Sequence, residues 1–423
     1  MQFRVSQSSA SSGFSVKSDF FITFAHNTSY YFNLPRLCIT VTSGITSNTH
    51  PDTPKPRYEL LDGLRGVAAL LVIWFHFGEG FATSAVDQMV NHGYLAVDFF
   101  FVLSGFVLGY AYDNRWKTDS LTPGGFMLRR VIRLHPMVVL SVILGAAAYL
   151  LQGSVKWDGN PVSLHSVALA LVFGLFLLPT FPGSPSDVRG NNEMFPLNGP
   201  SWSLFFEYIG SILYAVWLHR LSKRALRIVV LLSALGLAAM ALFASEGYRM
   251  SFGWSAQGTG MLGGFFRLSF SFSAGLLISR SFKPVRVRGS FWLCAAIIAA
   301  VTLCPYIGSE KNIGNVIYDL CCTLLVFPAL VYLGACGNTT DRLSTATCRF
   351  VGQLSYPIYI IHYPVMYVFY GWVWSNSLTF DEVWSTCVAI FFGLIAAAWL
   401  VLRYYDTPLR AFLTRKFISH KSV

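Results

Sequence analysis

The sequence predicts an all-α bundle of transmembrane helices, polytopic, with about ten membrane crossings and one further apolar segment that is re-entrant or interfacial. Of 423 residues, 54% are hydrophobic and 12% charged, against roughly a quarter charged in an ordinary soluble domain. Apolar runs of about twenty residues, the length a helix needs to cross hydrocarbon, recur from residue 64 to residue 404. Lysine and arginine collect in short links between the runs, where they set orientation. The net charge of +11 therefore points to a lipid bilayer and not to nucleic acid, for which no basic patch interleaved with aromatics is present.

Residues 1–56 are rich in Ser, Thr and Asn and end in PDTPKP, which predicts a weakly structured tail. Their first eighteen residues carry Arg4, Lys17 and no acid, a composition also seen in organellar transit peptides. The candidate spans follow at roughly 64–82, 93–112, 136–152, 162–180, 201–218, 226–244, 262–280, 289–307, 316–336, 354–374 and 385–404. The cationic links at 115–133, 219–227, 280–288 and 342–349, with the C-terminal Arg403, Arg410, Arg415 and Lys416, all fit a cytoplasmic side, with one conflict of parity. Between Arg133 and Arg220 lie three apolar segments, yet both links should face the same side, so one segment cannot cross. The segment 162–180 is the choice, because it carries His165 and runs into the Pro- and Gly-rich loop FPGSPSDVRGNNEMFPLNGP. The expected organisation is a tail over 1–56, a membrane domain over 57–410 and a short cytoplasmic tail over 411–423, in a multi-pass protein of the plasma membrane with both termini cytoplasmic. The eight cysteines show no spacing suited to zinc or haem, so no metal is expected.

Ionisable side chains inside apolar runs are costly and mark either a working site or a structural pair. Arg65 and His76, eleven residues apart in LDGLRGVAALLVIWFHF, fall on nearly the same helix face. An imidazole titrates near neutrality and can take a proton from an attacking hydroxyl, so His76 leads the catalytic candidates. Arg65 could shape its surroundings, stabilise anionic charge or anchor the helix start. Asp98, in GYLAVDFFFVLSGFVLGY, could orient His76, pair with Arg65 or tie the first two helices together. Arg130 and Arg133 in MLRRVIRLHP lie one turn apart and could grip phosphates, or serve as plain positive-inside anchors. In PSWSLFFEYIGSILY, Ser203 and Glu207 share a face, and Trp202 offers an indole donor or belongs to an interfacial belt. Glu207 is a catalytic candidate or the partner of a buried cation. In GQLSYPIYIIHYP, Ser355, Tyr359 and His362 form one polar stripe that could face the cavity of His76 or bond between helices.

Together with the closing YYDTPLR, these motifs resemble the acyltransferase-3 family of polytopic membrane O-acyltransferases, from about Tyr58 to Arg410. The resemblance implies transfer of an acyl group, with acetyl-coenzyme A the expected acyl-CoA donor substrate and no bound cofactor, to a hydroxyl of a carbohydrate, envelope glycan or secreted small molecule. Carried over by motif, it implies catalytic roles for Arg65, His76, Asp98 and Glu207, coenzyme A binding for Arg130 and Arg133, and substrate binding for Trp202, Ser203, Tyr359 and His362. Two stretches depart from the family pattern: YLAVD stands where glycine usually precedes the valine, and SLFFEY replaces the commoner SLSVEEQFY. Some members carry a C-terminal esterase-like domain, and this chain is expected to be the stand-alone form. The competing class is an ion-coupled transporter or flippase, since the same buried charges also build substrate paths.

Overall fold

Helix starts fall where the sequence offers a side-chain acceptor for the unpaired N–H groups of the first turn. Thr122, Ser163, Ser222, Asn312 and Asp341 each accept such a bond, and Thr379 forms a capping box with Glu382. The computed structural model describes residues 58–418, apart from 119, 246–248, 284, 286 and 340. The tail expected over 1–56 lies outside the described residues.

The helices are α1 (Glu59–Glu79), α2 (Ala96–Lys117), α3 (Pro123–Leu151), α4 (Leu164–Leu175), α5 (Ser201–Val216), α6 (Lys223–Phe243), α7 (Gly260–Ser281), α8 (Ser290–Leu303), α9 (Ile313–Cys321), α10 (Phe327–Cys336), α11 (Arg342–Ser375), α12 (Phe380–Val401) and α13 (Thr407–Phe417). Wider π-turns at Cys322–Val326 and Leu402–Asp406 join α9 to α10 and α12 to α13. Seven stretches are long and apolar enough to cross a bilayer: α1, Gly93–Lys117, α3, α6, α7, Ile313–Cys336 and Phe380–Phe417. This is an all-α polytopic membrane fold, and its β features among the described residues are a two-residue parallel pairing of Val287–Arg288 with Gly337–Asn338 and isolated bridges of Val155 with Pro161 and Glu193 with Ser255.

Three boundaries differ from expectation. The helix expected from 136 begins at Pro123, because Thr122 caps it and proline fits a first turn, so Arg129, Arg130 and Arg133 ride on α3 itself. The span expected from 354 begins at Arg342 behind the Asp341 cap and runs 34 residues through Pro357 and Pro364. Pro364 has no N–H for the Ile360 carbonyl, which instead accepts from Asn198 Nδ2 at 3.1 Å. Helix α13 continues past Arg410 to Phe417, where a tail was expected.

Contacts sort the helix ends into two groups. At one end Arg280 of α7 pairs with Asp113 of α2 at 2.7 Å and donates to the carbonyls of Leu218 and Leu221, while Arg349 of α11 meets Glu59 of α1 at 2.9 Å. At the other, Trp374 Nε1 donates to Gly80 O at 2.8 Å, Glu310 accepts from Ala85 N, and Met194 N donates to Trp254 O at 2.9 Å. The stretch between α3 and α5 leaves and returns beside one residue: Gln152 Nε2 donates to Tyr367 O at 2.6 Å, and Gly199 N donates to Tyr367 Oη at 3.2 Å. Within it α4 has 12 residues, about 18 Å of helix, which is short of a crossing.

Two glycine seams hold the bundle. Gly63 and Gly66 of α1 lie against Cys348 and Val351 of α11, with Gly352 against Asp62; Gly105 of α2 lies on the backbone of Phe272, and Gly275 of α7 on that of Val102. Without a hydrophobic drive between helices in lipid, close backbone approach supplies the packing. A Cβ at Gly105 or Gly275 would meet backbone atoms that cannot give way. Gly105→Val is therefore expected to cost about 1–3 kcal/mol, read as a lower midpoint of thermal unfolding in detergent, whereas Gly393→Val, with open space around its Cβ position, should leave the midpoint in place.

Candidate active site

Between the ends of α1, α5, α7 and α11, at the end of the bundle away from the basic links, lies a cavity of about 590 Å³. His76, in the last turn of α1, lines it and donates from Nδ1 to Glu79 Oε2 at 2.5 Å. A carboxylate only accepts, so this bond places the proton on Nδ1 and leaves Nε2 as the basic nitrogen. Tyr370 Oη donates to His76 O at 2.6 Å and approaches Glu79 Oε2 at 3.3 Å, fixing both members of the pair. The imidazole stacks on His362, with centroids 5.2 Å apart, and takes the edge of Tyr363 at 4.7 Å.

His362 is fully buried and donates from Nδ1 to Ile358 O at 3.2 Å, which leaves its Nε2 without a partner. On the same side, Glu193 accepts from the hydroxyls of Tyr367 and Tyr363, and burial pushes its carboxyl above the usual range. Arg189 stands behind them, 2% exposed, with its guanidinium 3.5 Å from the Tyr367 ring centre and Nε donating to Pro196 O at 2.7 Å. Burial lowers its pKa, and Tyr367 and Glu193 oppose that shift. Trp202 and Tyr359 also line the cavity, and Tyr359 Oη donates to Ser203 Oγ at 2.8 Å, since the Ser203 proton goes to Pro200 O at 2.9 Å.

The remaining sequence candidates lie elsewhere. Asp98, expected near His76 or Arg65, is fully buried against Arg267 of α7, with Nη2 to Oδ2 at 2.7 Å and Nε to Oδ1 at 3.1 Å. The α2–α7 seam brings these two helices face to face, so the partner comes from α7 and not from α1. Arg267 further donates to Phe252 O at 2.7 Å and Tyr94 O at 2.9 Å. Arg65 pairs with Asp62 at 3.0 Å and donates to Ser355 Oγ at 2.8 Å. It does share a face with His76, both being turned to α11, but eleven residues of helix separate them by about 16 Å. That distance removes Arg65 from the reacting atoms. Glu207 is likewise absent from the cavity wall: it pairs with Arg130 and accepts from Ser104 Oγ at 3.1 Å, while Arg130 Nε donates to Ser211 Oγ at 3.2 Å. Arg133 is partly buried and makes no hydrogen bond or ion pair among the described residues. Among the described residues no group of three His, Cys, Asp or Glu side chains forms a metal site.

The family profile of an acyltransferase domain, acyltransferase type 3, matches residues 58–402. The chain belongs to the acyltransferase-3 family. A streptomycete relative, the acyltransferase MdmB of Streptomyces mycarofaciens, is 25% identical over 82% of this chain and 87% of its own length. The peptidoglycan O-acetyltransferase OatA of Listeria monocytogenes is 22% identical over 83% of this chain and 55% of its own. Protein 2 in the picA locus of Rhizobium radiobacter is 38% identical over 43% of this chain and 93% of its own. No solved structure matches the chain.

In this membrane acyltransferase the matched region carries His76 and its partner Glu79, a residue that reading by motif passed over. The signal was present, since Glu79 stands three residues after His76 and hence one turn along the same face. Arg267 was visible too, as the one charge in the apolar run 262–280 before its closing arginine. Glu193 and Arg189 sit in a loop without periodicity and gave no such signal. Removing one partner of a buried ion pair strands the other, so Asp98→Ala is expected to lower stability by about 3–5 kcal/mol, measured by thermal unfolding in detergent. Arg65→Ala, whose partners are more exposed, should lower it by less.

Proposed function

We propose that this enzyme moves an acyl group, acetyl foremost, from acyl-coenzyme A to a hydroxyl of a glycan or secreted small molecule, with His76 as general base. The observation that carries this reading is the His76–Glu79 pair opening onto an aromatic-walled cavity inside a membrane acyltransferase. His76 Nε2 takes the proton of the acceptor hydroxyl as its oxygen attacks the thioester carbonyl carbon. Collapse of the tetrahedral intermediate breaks the C–S bond, and the imidazolium returns its proton to the departing thiolate. Glu79, hydrogen-bonded to Nδ1–H, stabilises the imidazolium between these events. Of the two oxyanion donors that the motifs suggested, Trp202 lines the cavity and Arg65 does not, which favours the indole.

The donor is proposed to arrive from the basic end of the bundle, which positive-inside bias assigns to the cytoplasm of a plasma-membrane protein with both termini inside. A polar column supports that path: Arg130 with Glu207, then Ser203 one turn along α5, then Tyr359 at the cavity. Because Arg130 is engaged by Glu207, Arg133 is the arginine of the pair that is open to a phosphate. The O-acetyl transfer named for the Listeria relative, and its peptidoglycan acceptor, support a hydroxyl acceptor of carbohydrate type here.

Membranes containing the protein, given labelled acetyl-coenzyme A and a mixed glycan pool, test the mechanism. His76→Ala is expected to lower transfer by about 100-fold or more, and Glu79→Gln by a smaller factor with KM for the donor little changed. Equal transfer by wild type and His76→Ala would remove the histidine from the chemistry, and uptake of glycan into vesicles without coenzyme A would favour transport.

A further inference from the structure

We infer that the catalytic cavity contains an anion subsite built on Arg249, so that the acceptor it takes carries a carboxylate or phosphate besides its reacting hydroxyl. Arg249 and Arg267 both line the cavity, but Arg267 is neutralised by Asp98. Arg249 has no carboxylate within ion-pair distance among the described residues.

Beside Arg249 runs a buried chain of hydrogen bonds. Asp319, fully buried, accepts from Tyr94 Oη at 2.6 Å, from His92 Nδ1 at 2.9 Å and from Met250 N at 2.9 Å. With the Tyr94 proton so committed, the bond between Tyr94 Oη and Tyr306 Oη, 3.1 Å, runs from Tyr306 to Tyr94. The Arg249 guanidinium lies beside the Tyr306 hydroxyl. The backbone is pinned at the next residue by the Met250 bond, and both tyrosines of the chain line the same cavity.

A surface anchor needs no such support. A guanidinium set beside a phenol that is itself hydrogen-bonded toward a buried carboxylate offers paired donors to a planar or tetrahedral anion. The indoles of Trp202 and Trp254 line the same cavity and offer flat faces to a ring. Glu193 and Glu79 stand on the His76 side, held by tyrosines and the imidazole, and Glu310, also in the lining, accepts from Ala85 N. An acceptor with its anion at Arg249 presents its hydroxyl toward the His76 side. The shared chemistry covers a uronate carboxylate and a sugar phosphate alike.

The inference rests on the reading of this cavity as the acceptor site, and binding separates it from the chemistry. The detergent-solubilised full chain is titrated with D-glucuronate, glucose 1-phosphate and glucose, and apparent Kd is read from the thermal unfolding midpoint. At least one anionic probe is expected to bind about tenfold tighter than glucose, a difference of about 1.4 kcal/mol; which of the two does so names carboxylate or phosphate as the source. Arg249→Gln is expected to erase that ratio, and Arg249→Lys to keep part of it. Tyr306→Phe, which cuts the supporting chain but keeps the charge, should reduce it. Because each ratio is taken within one variant, a change in overall stability cancels. No preference for either anion in the wild type, or an unchanged ratio in Arg249→Gln and Tyr306→Phe, overturns the proposal. His76→Ala is expected to keep the ratio while losing transfer, so a failure of the catalytic reading registers separately.

Discussion

A charge held in hydrocarbon needs a partner, and in this chain the partners come from helices far apart in sequence. Asp98 on α2 finds Arg267 on α7, Asp113 on α2 finds Arg280 on α7, and Glu207 on α5 finds Arg130 on α3. Each pair fixes a helix–helix contact that lipid alone would not specify. The α2–α7 contact carries two such pairs, one near each end, with the glycine seam between them. Charge and close packing therefore act on the same interface.

The α1–α11 contact works in the same way with a different outcome. Arg65 and His76 lie on one face of α1 and meet Ser355 and His362, seven residues apart on α11. The lower contact is a structural clasp. At the upper one, Glu79 and Tyr370 supply what His76 needs to keep its proton on Nδ1, and the helix ends there, so the imidazole lines a cavity. The same stripe thus serves packing at one level and lines the cavity two to three turns higher.

Apolar run length and basic links made the polytopic fold legible. The His76 motif led to a helix end that lines the cavity. What the sequence could not disclose was pairing: Asp98, Glu207 and Arg65 each looked available to His76, and each is engaged elsewhere because partner choice depends on which helices pack together. Periodicity reports the face a residue occupies on its own helix, and nothing about the element opposite. The loop residues Glu193 and Arg189 were silent for a related reason, since irregular chain has no repeat to read.

The outer loops have a further consequence. Pro364 surrenders the Ile360 carbonyl to Asn198, stitching the end of the loop before α5 into the wall of α11, and Glu310 fastens the loop after α8 to the one after α1. These joints sit on backbone groups, indifferent to most side chains around them. Loop sequence between the stitches is free to diverge, so one helical engine is compatible with many exchangeable vestibules, and relatives built on it can address different acceptors without rebuilding the machinery beneath.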